Sequence, residues 1–218
     1  MDRYFANLHS MNASDKATYC PAAPNFYSGY GSIAATRANL PHWNKRLTTC
    51  FATFRLADSL PAEKLNSLEE ARKDWLSTHP TPWTSEITRE YYSLFDENIQ
   101  KWLDQGHGSC VLVDSANSQI VEDALWHFAG ERYDLYAYVV MPNHVHVLFQ
   151  PIGGNTISGI LESWKRFTAR KINERTGKGG SLWQKESFDT LVRSERHFQT
   201  IIGYIKRNDP GKAWVVHG

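Results

Sequence analysis

His144-Val145-His146 places two imidazoles at alternate positions of an apolar, β-branched stretch. In an extended strand alternate side chains share a face, so both rings project to one side while Val145 and Val147 project to the other. Two imidazole nitrogens suit several divalent ions and leave coordination positions for a third protein ligand, water or substrate oxygens. By itself an H-x-H pair is more often a structural or exposed histidine pair, so the reading turns on what else converges there. Tyr204 and Asn208 are spaced i, i+4 on a predicted C-terminal helix, which stacks them on one face. The phenol is a candidate covalent nucleophile and the amide oxygen a candidate ligand. A phenol is a weak nucleophile at neutral pH, so a nearby cation must favour the phenolate or a metal ion must polarise the scissile phosphate. Lys206 and Arg207 are adjacent candidates for that charge, and the competing reading is a half-buried core tyrosine beside a helix-terminal asparagine.

Between these pieces, Ser163 to Lys171 interleaves aromatic with basic residues on a predicted helix. Lys165, Arg166, Arg170 and Lys171 are candidates to neutralise a phosphate backbone, and Trp164 to stack an unpaired base. Aromatics at helical spacing are more often core, and Phe167 is assigned there. Gly179 to Asp189 follows as a flexible approach to the next strand, with Gln184, Lys185 and Glu186 available to bind or orient a substrate. The formal net charge of +1 hides an asymmetry: from residue 160 onward 12 Lys and Arg stand against 6 Asp and Glu. The C-terminal part therefore suits a polyanionic partner or a basic solvated helix.

These residues need a scaffold, and 218 residues with 41% hydrophobic content are enough for one buried domain. Residues 48–56 read as a strand stopped by Asp58 and Pro61. Two charged, Trp-bearing helices over about 61–77 and 84–104 flank the turn His79-Pro80-Thr81-Pro82 and look like a helical insertion of about 61–104. A helix over 118–129 precedes strands 133–140 and 144–149, joined by Met141-Pro142-Asn143 into a hairpin. A helix over 156–175 closed by Gly177, a strand over 188–192 and a helix over 195–208 complete the order. This predicts an α+β fold, a ferredoxin-like antiparallel sheet (βαββαβ) with helices on one face, a helical insertion after the first strand and a C-terminal catalytic helix. Residues 1–40, with no sustained period, are expected to form an irregular N-terminal arm before a catalytic domain over 41–218. No long uncharged apolar run or secretory signal is present, and Cys20, Cys50 and Cys110 show no disulfide or zinc spacing. A soluble, cytoplasmic protein with reduced thiols is expected.

Three blocks carry a resemblance: Tyr138 to Leu148, Trp183 to Asp189, and Tyr204-Ile205 with Asn208 and Pro210. Together with Pro41-His42-Trp43 and the stretch Phe54 to Pro61, the chain from about Leu40 onward resembles the REP-associated tyrosine transposases. These are similar to the single-tyrosine insertion-sequence transposases and fall in the HUH endonuclease class. The resemblance implies a metal-dependent single-strand DNA endonuclease and strand transferase. In it His144, His146 and Asn208 would hold Mg2+ or Mn2+ against the scissile phosphate. Tyr204 would attack, leaving a 5′-phosphotyrosine link and a free 3′-hydroxyl. The implied substrate is single-stranded DNA beside an imperfect palindromic hairpin of the REP type, gripped by the basic helix over 165–175, with the protein a monomer or homodimer. The family's Asn-Pro is here Asn208-Asp209-Pro210, so Asn208 and Asp209 both stand as the third ligand. Two other functions fit the same residues: a non-catalytic nucleic-acid hairpin-binding protein derived from a transposase, and a metal-dependent hydrolase of small phosphoesters.

Overall fold

The computed structural model of the chain describes residues 13–27, 34–37, 41–44, 47–80, 83–209, 211 and 213–215. A short helix α1 (Ala13–Thr18) and a two-stranded antiparallel pair, β1 (Ala34–Arg37) and β2 (Pro41–Asn44), come first. The N-terminal segment expected to be irregular thus holds regular pieces, and residues 19–27 are strapped onto the domain. Tyr19 Oη accepts from the Leu135 amide at 3.0 Å, Tyr136 Oη donates to the Ala22 carbonyl at 3.0 Å, and the Tyr27 amide donates to the Val192 carbonyl at 2.8 Å. Residues 1–12 and Pro210 lie outside the described residues.

The central sheet is built from β3 (Cys50–Arg55), β4 (Tyr133–Val140), β5 (His144–Pro151), β6 (Phe188–Leu191) and β7 (Ala213–Val215). Its order is β6-β3-β5-β4-β7, every neighbouring pair antiparallel. Without β7 this is the expected ferredoxin-like sheet, in which the third strand lies between the first and the second. β4 and β5 are buried along their whole length because both faces of the sheet are covered. Met141-Pro142-Asn143 makes the turn between them, closed by the Met141 amide on the His144 carbonyl at 2.9 Å.

Two helices cover one face: α4 (Ser115–Trp126), capped by the Asp114 carboxylate, and α5 (Ile157–Thr176), capped by the Thr156 hydroxyl and ended by Gly177 at φ 65°. Val145, Val147 and Phe149 from β5 enter this layer with Phe54, Leu125, Ile160, Leu161 and Trp164. The last helix, α6 (Glu195–Arg207), packs on the opposite face. Phe198, Ile201, Ile202 and Ile205, at i, i+3, i+4 and i+7, bury its apolar stripe against Tyr136, Val139 and Leu148. Between β3 and α4 the insertion forms α2 (Ala62–Thr78) and α3 (Ser85–Leu103), close to the expected bounds, and Leu60, Ile99 and Leu103 tie it to the sheet through Phe188. Among the described residues no helix is long and apolar enough to cross a membrane, and the three cysteines are free thiols.

Candidate active site on the helix α6 face

His144 and His146 lie on the face of β5 that α6 covers, opposite Val145 and Val147, as strand alternation requires. Both are fully buried, and their Nε2 atoms stand 3.0 Å apart. The Tyr204 hydroxyl reaches from α6 to within 3.1 Å of His146 Nε2. Phe51 on β3 closes the cluster, stacked on the His146 ring at 5.5 Å and edge-on to Tyr204 at 6.1 Å.

Each imidazole is oriented by a second residue. The Asn143 Nδ2 group donates to the carbonyls of Leu103, at 3.2 Å, and His107, at 3.0 Å. Its Oδ1 is therefore the atom 2.7 Å from His144 Nδ1, and because an oxygen only accepts, Nδ1 carries the proton and Nε2 the lone pair. His146 Nδ1 shares a 2.8 Å hydrogen bond with the Thr53 hydroxyl, which serves either tautomer since a hydroxyl donates or accepts. In the free site the proton between the two Nε2 atoms comes from His146, whose Nδ1 then accepts from Thr53. Rotating the Thr53 hydroxyl lets His146 turn its Nε2 lone pair inward as well, and such outer partners are what fix metal-ligating imidazoles.

Burial pushes His144 down to about 3, and His146 well below its ordinary value through burial and the neighbouring His144. Both rings are thus neutral near pH 7 and offer lone pairs without competition from protons. The two Nε2 atoms, 3.0 Å apart, stand at hydrogen-bond distance from each other and are the two nitrogen donors the pair could offer a divalent ion. Among the described residues no group of three or more His, Cys, Asp and Glu converges.

The Tyr204 phenol is held well above its ordinary value, first by burial, then by the Asp104 carboxylate at the end of α3, with Arg207 opposing. The resting hydroxyl is protonated, and the insertion, through Asp104, helps keep it so. Asn208 ends α6, with its Nδ2 and its backbone amide both donating to the Tyr204 carbonyl at 3.1 and 3.2 Å. Asp209 Oδ1 accepts from the Gly211 and Ala213 amides at 2.7 and 2.9 Å, turning the chain into β7. Both candidates for a third ligand are engaged in ending the helix.

The basic helix lies elsewhere. α5 occupies the sheet face opposite Tyr204, so Arg166, Arg170 and Lys171 are separated from the histidines by the sheet. Arg166 and Arg170 are exposed and Lys171 pairs with Glu174 at 3.7 Å. Trp164 corrects the expectation of a base-stacking surface: it is 3% exposed, edge-on to Tyr133 and Phe149, with its Nε1 donating to Tyr133 Oη at 2.9 Å. Its position on the inward stripe of α5 leaves no ring face for a base. Lys165 is half-buried and donates to the Lys185 carbonyl at 2.7 Å and to Ser187 Oγ at 3.2 Å, so it braces the segment before β6. Lys185, Lys206 and Arg207 are exposed. Sequence reasoning gave no role to Thr53, Phe51 or Asp104, whose partners depend on sheet register and on docking of the insertion. Asn143 stood inside the recognised block, where its place beside His144 was the available signal.

A tyrosine on a helix thus faces a buried histidine pair, and residues 114–208, less than half of the chain, match the family model described as transposase IS200 like. His144, His146, Tyr204 and Asn208 all fall within that segment, and over it the expected resemblance to single-tyrosine insertion-sequence transposases is supported by the match. One similar solved structure is that of a REP-associated tyrosine transposase bound to a REP hairpin, at 14% identity and a TM-score of 0.43, covering 79% of this chain and 72% of the other. Another is a provisionally named transposase from Deinococcus radiodurans R1, at 16% identity and a TM-score of 0.30, covering 76% of this chain and 93% of the other. No curated protein matches the chain.

Proposed function

We propose that the chain is a single-strand DNA endonuclease and strand transferase that forms a covalent 5′-phosphotyrosine through Tyr204. The observation that carries this reading is the approach of the Tyr204 hydroxyl to 3.1 Å from a buried, neutral, mutually oriented histidine pair. His144 and His146 would hold Mg2+ or Mn2+, which polarises a scissile phosphate and favours ionisation of an adjacent phenol. Tyr204, rigid on its helix, would attack the phosphorus in line with the leaving 3′-oxygen. The phenolic proton goes to solvent or a substrate oxygen, the P–O3′ bond breaks, and the new ester keeps the energy needed to rejoin a second 3′-hydroxyl. Phe51, edge-on to Tyr204, would shield one side of the attacking phenol. Asn208 and Asp209 both stay open as further ligands after local rearrangement. The hairpin substrate rests on the motif resemblance, and Lys185, Lys206 and Arg207 are the exposed cations offered for its backbone. Arg166, Arg170 and Lys171 would meet DNA only where it wraps to the other sheet face.

The test is incubation with a single strand carrying a REP-like hairpin and Mn2+, followed by denaturing electrophoresis. An adduct that withstands denaturant is expected from the wild type and none from Tyr204→Phe, with hairpin binding retained. Cleavage that survives Tyr204→Phe would overturn the reading. The engagement of Asn208 as a helix end favours a second reading, a hairpin-binding protein without chemistry, for which binding would be unchanged by chelator and by His144→Ala and no adduct would form.

A further inference from the structure

Arg55 lies opposite His144 in the β3–β5 register and two residues beyond Thr53, so its side chain rises from the same face of the sheet as the histidines. It is 4% exposed, donates through Nη1 to Ser59 Oγ at 3.2 Å, and its Nε–H has no partner among the described residues. Arg72 on α2 is also largely interior, its side chain 11% exposed. Its Nη1 is 3.9 Å from Glu186 Oε2 and its Cζ 5.8 Å from the centroid of the Tyr91 ring, while Nε and Nη2 are buried without a hydrogen-bond acceptor among the described residues. Nε–H and Nη2–H form the side-on fork of a guanidinium, two parallel donors that match the two oxygens of one phosphate. Lys165, held on the α5 side by the Lys185 carbonyl and Ser187 Oγ, feels the same charges: burial and then Arg55 push it down to about 8. Glu186 is the acidic group these three cations share. Glu69 and Glu162, which also act on Arg55 and Lys165, are exposed and screened by solvent.

Buried guanidinium donors without acceptors are costly and rare in a finished fold, and several beside one carboxylate mark a place for a further anion. We propose that Arg55 and Arg72 form a phosphate subsite at the Glu186 end of β3, which binds one phosphodiester of the unpaired strand, with Lys165 adding positive charge from the α5 side. Glu186 offsets part of the positive charge while the subsite is free and orients Arg72 for the incoming oxygens. This rests on the single-strand reading above and adds to it a second anchoring point between α2, β3 and the segment before β6. A strand held at both points is fixed in direction as well as position, which sets which oxygen lies in line with Tyr204.

The experiment pairs protein variants with single methylphosphonate substitutions, which neutralise one phosphate at a time along the unpaired flank of a hairpin oligonucleotide. For the wild type, one position near the hairpin foot should weaken binding by about tenfold. In Arg72→Met, which keeps the side-chain bulk on α2, the same substitution should cost less than about twofold, and the salt slope of binding should fall by about one. Arg72→Gln, with the fold checked by thermal melting, repeats the measurement should the methionine variant misfold. Equal losses at every position in both proteins overturn the subsite, and so does coupling that appears with base substitutions instead of phosphate neutralisation. Adduct formation is followed on the same wild-type samples. Coupling without adducts removes the nucleophile role of Tyr204 and keeps the subsite, adducts without coupling remove the subsite alone, and a chain that binds no single strand removes both.

Discussion

Val145 and Val147 enter a dry layer of aliphatic and aromatic side chains between the sheet and α4 and α5, while His144 and His146, one residue away on the same strand, enter a small polar cluster beneath α6. On the first side the polar atoms are paired within the core: Trp164 Nε1 on Tyr133 Oη at 2.9 Å and Trp183 Nε1 on Thr168 Oγ1 at 2.8 Å. On the second side the buried imidazoles meet across 3.0 Å with one proton shared between their Nε2 atoms, and the guanidinium groups of Arg55 and Arg72 keep donors without a hydrogen-bond acceptor among the described residues. A face that serves stability pairs its polar groups internally, and a face that serves chemistry leaves them for a ligand. One strand does both because its side chains alternate.

The largest way to break this contrast is Tyr204→Phe, which should eliminate the covalent adduct, read on denaturing gels, while urea unfolding shifts little because only a hydroxyl on the polar side is lost. Next is its mirror on the dry side: Trp164→Ala should cost about 3–5 kcal/mol in urea unfolding, with adduct chemistry kept in the folded fraction at low temperature. A smaller effect is expected from Asn143→Ala, which frees the His144 ring to adopt the wrong tautomer. The Mn2+ concentration for half-maximal cleavage should rise about 10–100-fold, with the maximal adduct yield recovered at high Mn2+. The smallest concerns Lys165, whose charged form is disfavoured by burial in the folded chain, so its folded pKa of about 8 lies below the ordinary 10.5. Its destabilising contribution is full below pH 8 and fades as pH rises to 10.5, above which neither state is charged. Lys165→Met should flatten that part of the stability profile, measured by urea unfolding across pH 8 to 10.5.

The dry side was the more legible of the two. Strand 133–140 has its expected bounds because a continuous apolar run ends at Met141-Pro142-Asn143, and α5 ends at Gly177 where a left-handed residue was required. Trp164 was ambiguous because a heptad-like stripe and an aromatic platform share one spacing, and only packing tells them apart. The His pair and Tyr204 were readable as types at spacings. Their partners were not: Thr53 meets His146 through cross-strand register, and Arg72 meets Glu186 across more than a hundred residues, relations that leave no local pattern. β7 was missed because three half-buried residues carry too little periodicity to count.

The hold that Leu103 and His107 exert on Asn143 spans 40 and 36 residues of chain. Contacts of that range close late, after the loop entropy between them has been overcome. The His144-Val145-His146 motif therefore exists in a nascent or half-folded chain long before its rings are set. Under the proposed function timing becomes a safeguard: strand-breaking chemistry would wait for the insertion to dock, and an unfinished protein would carry the residues without the capacity to nick.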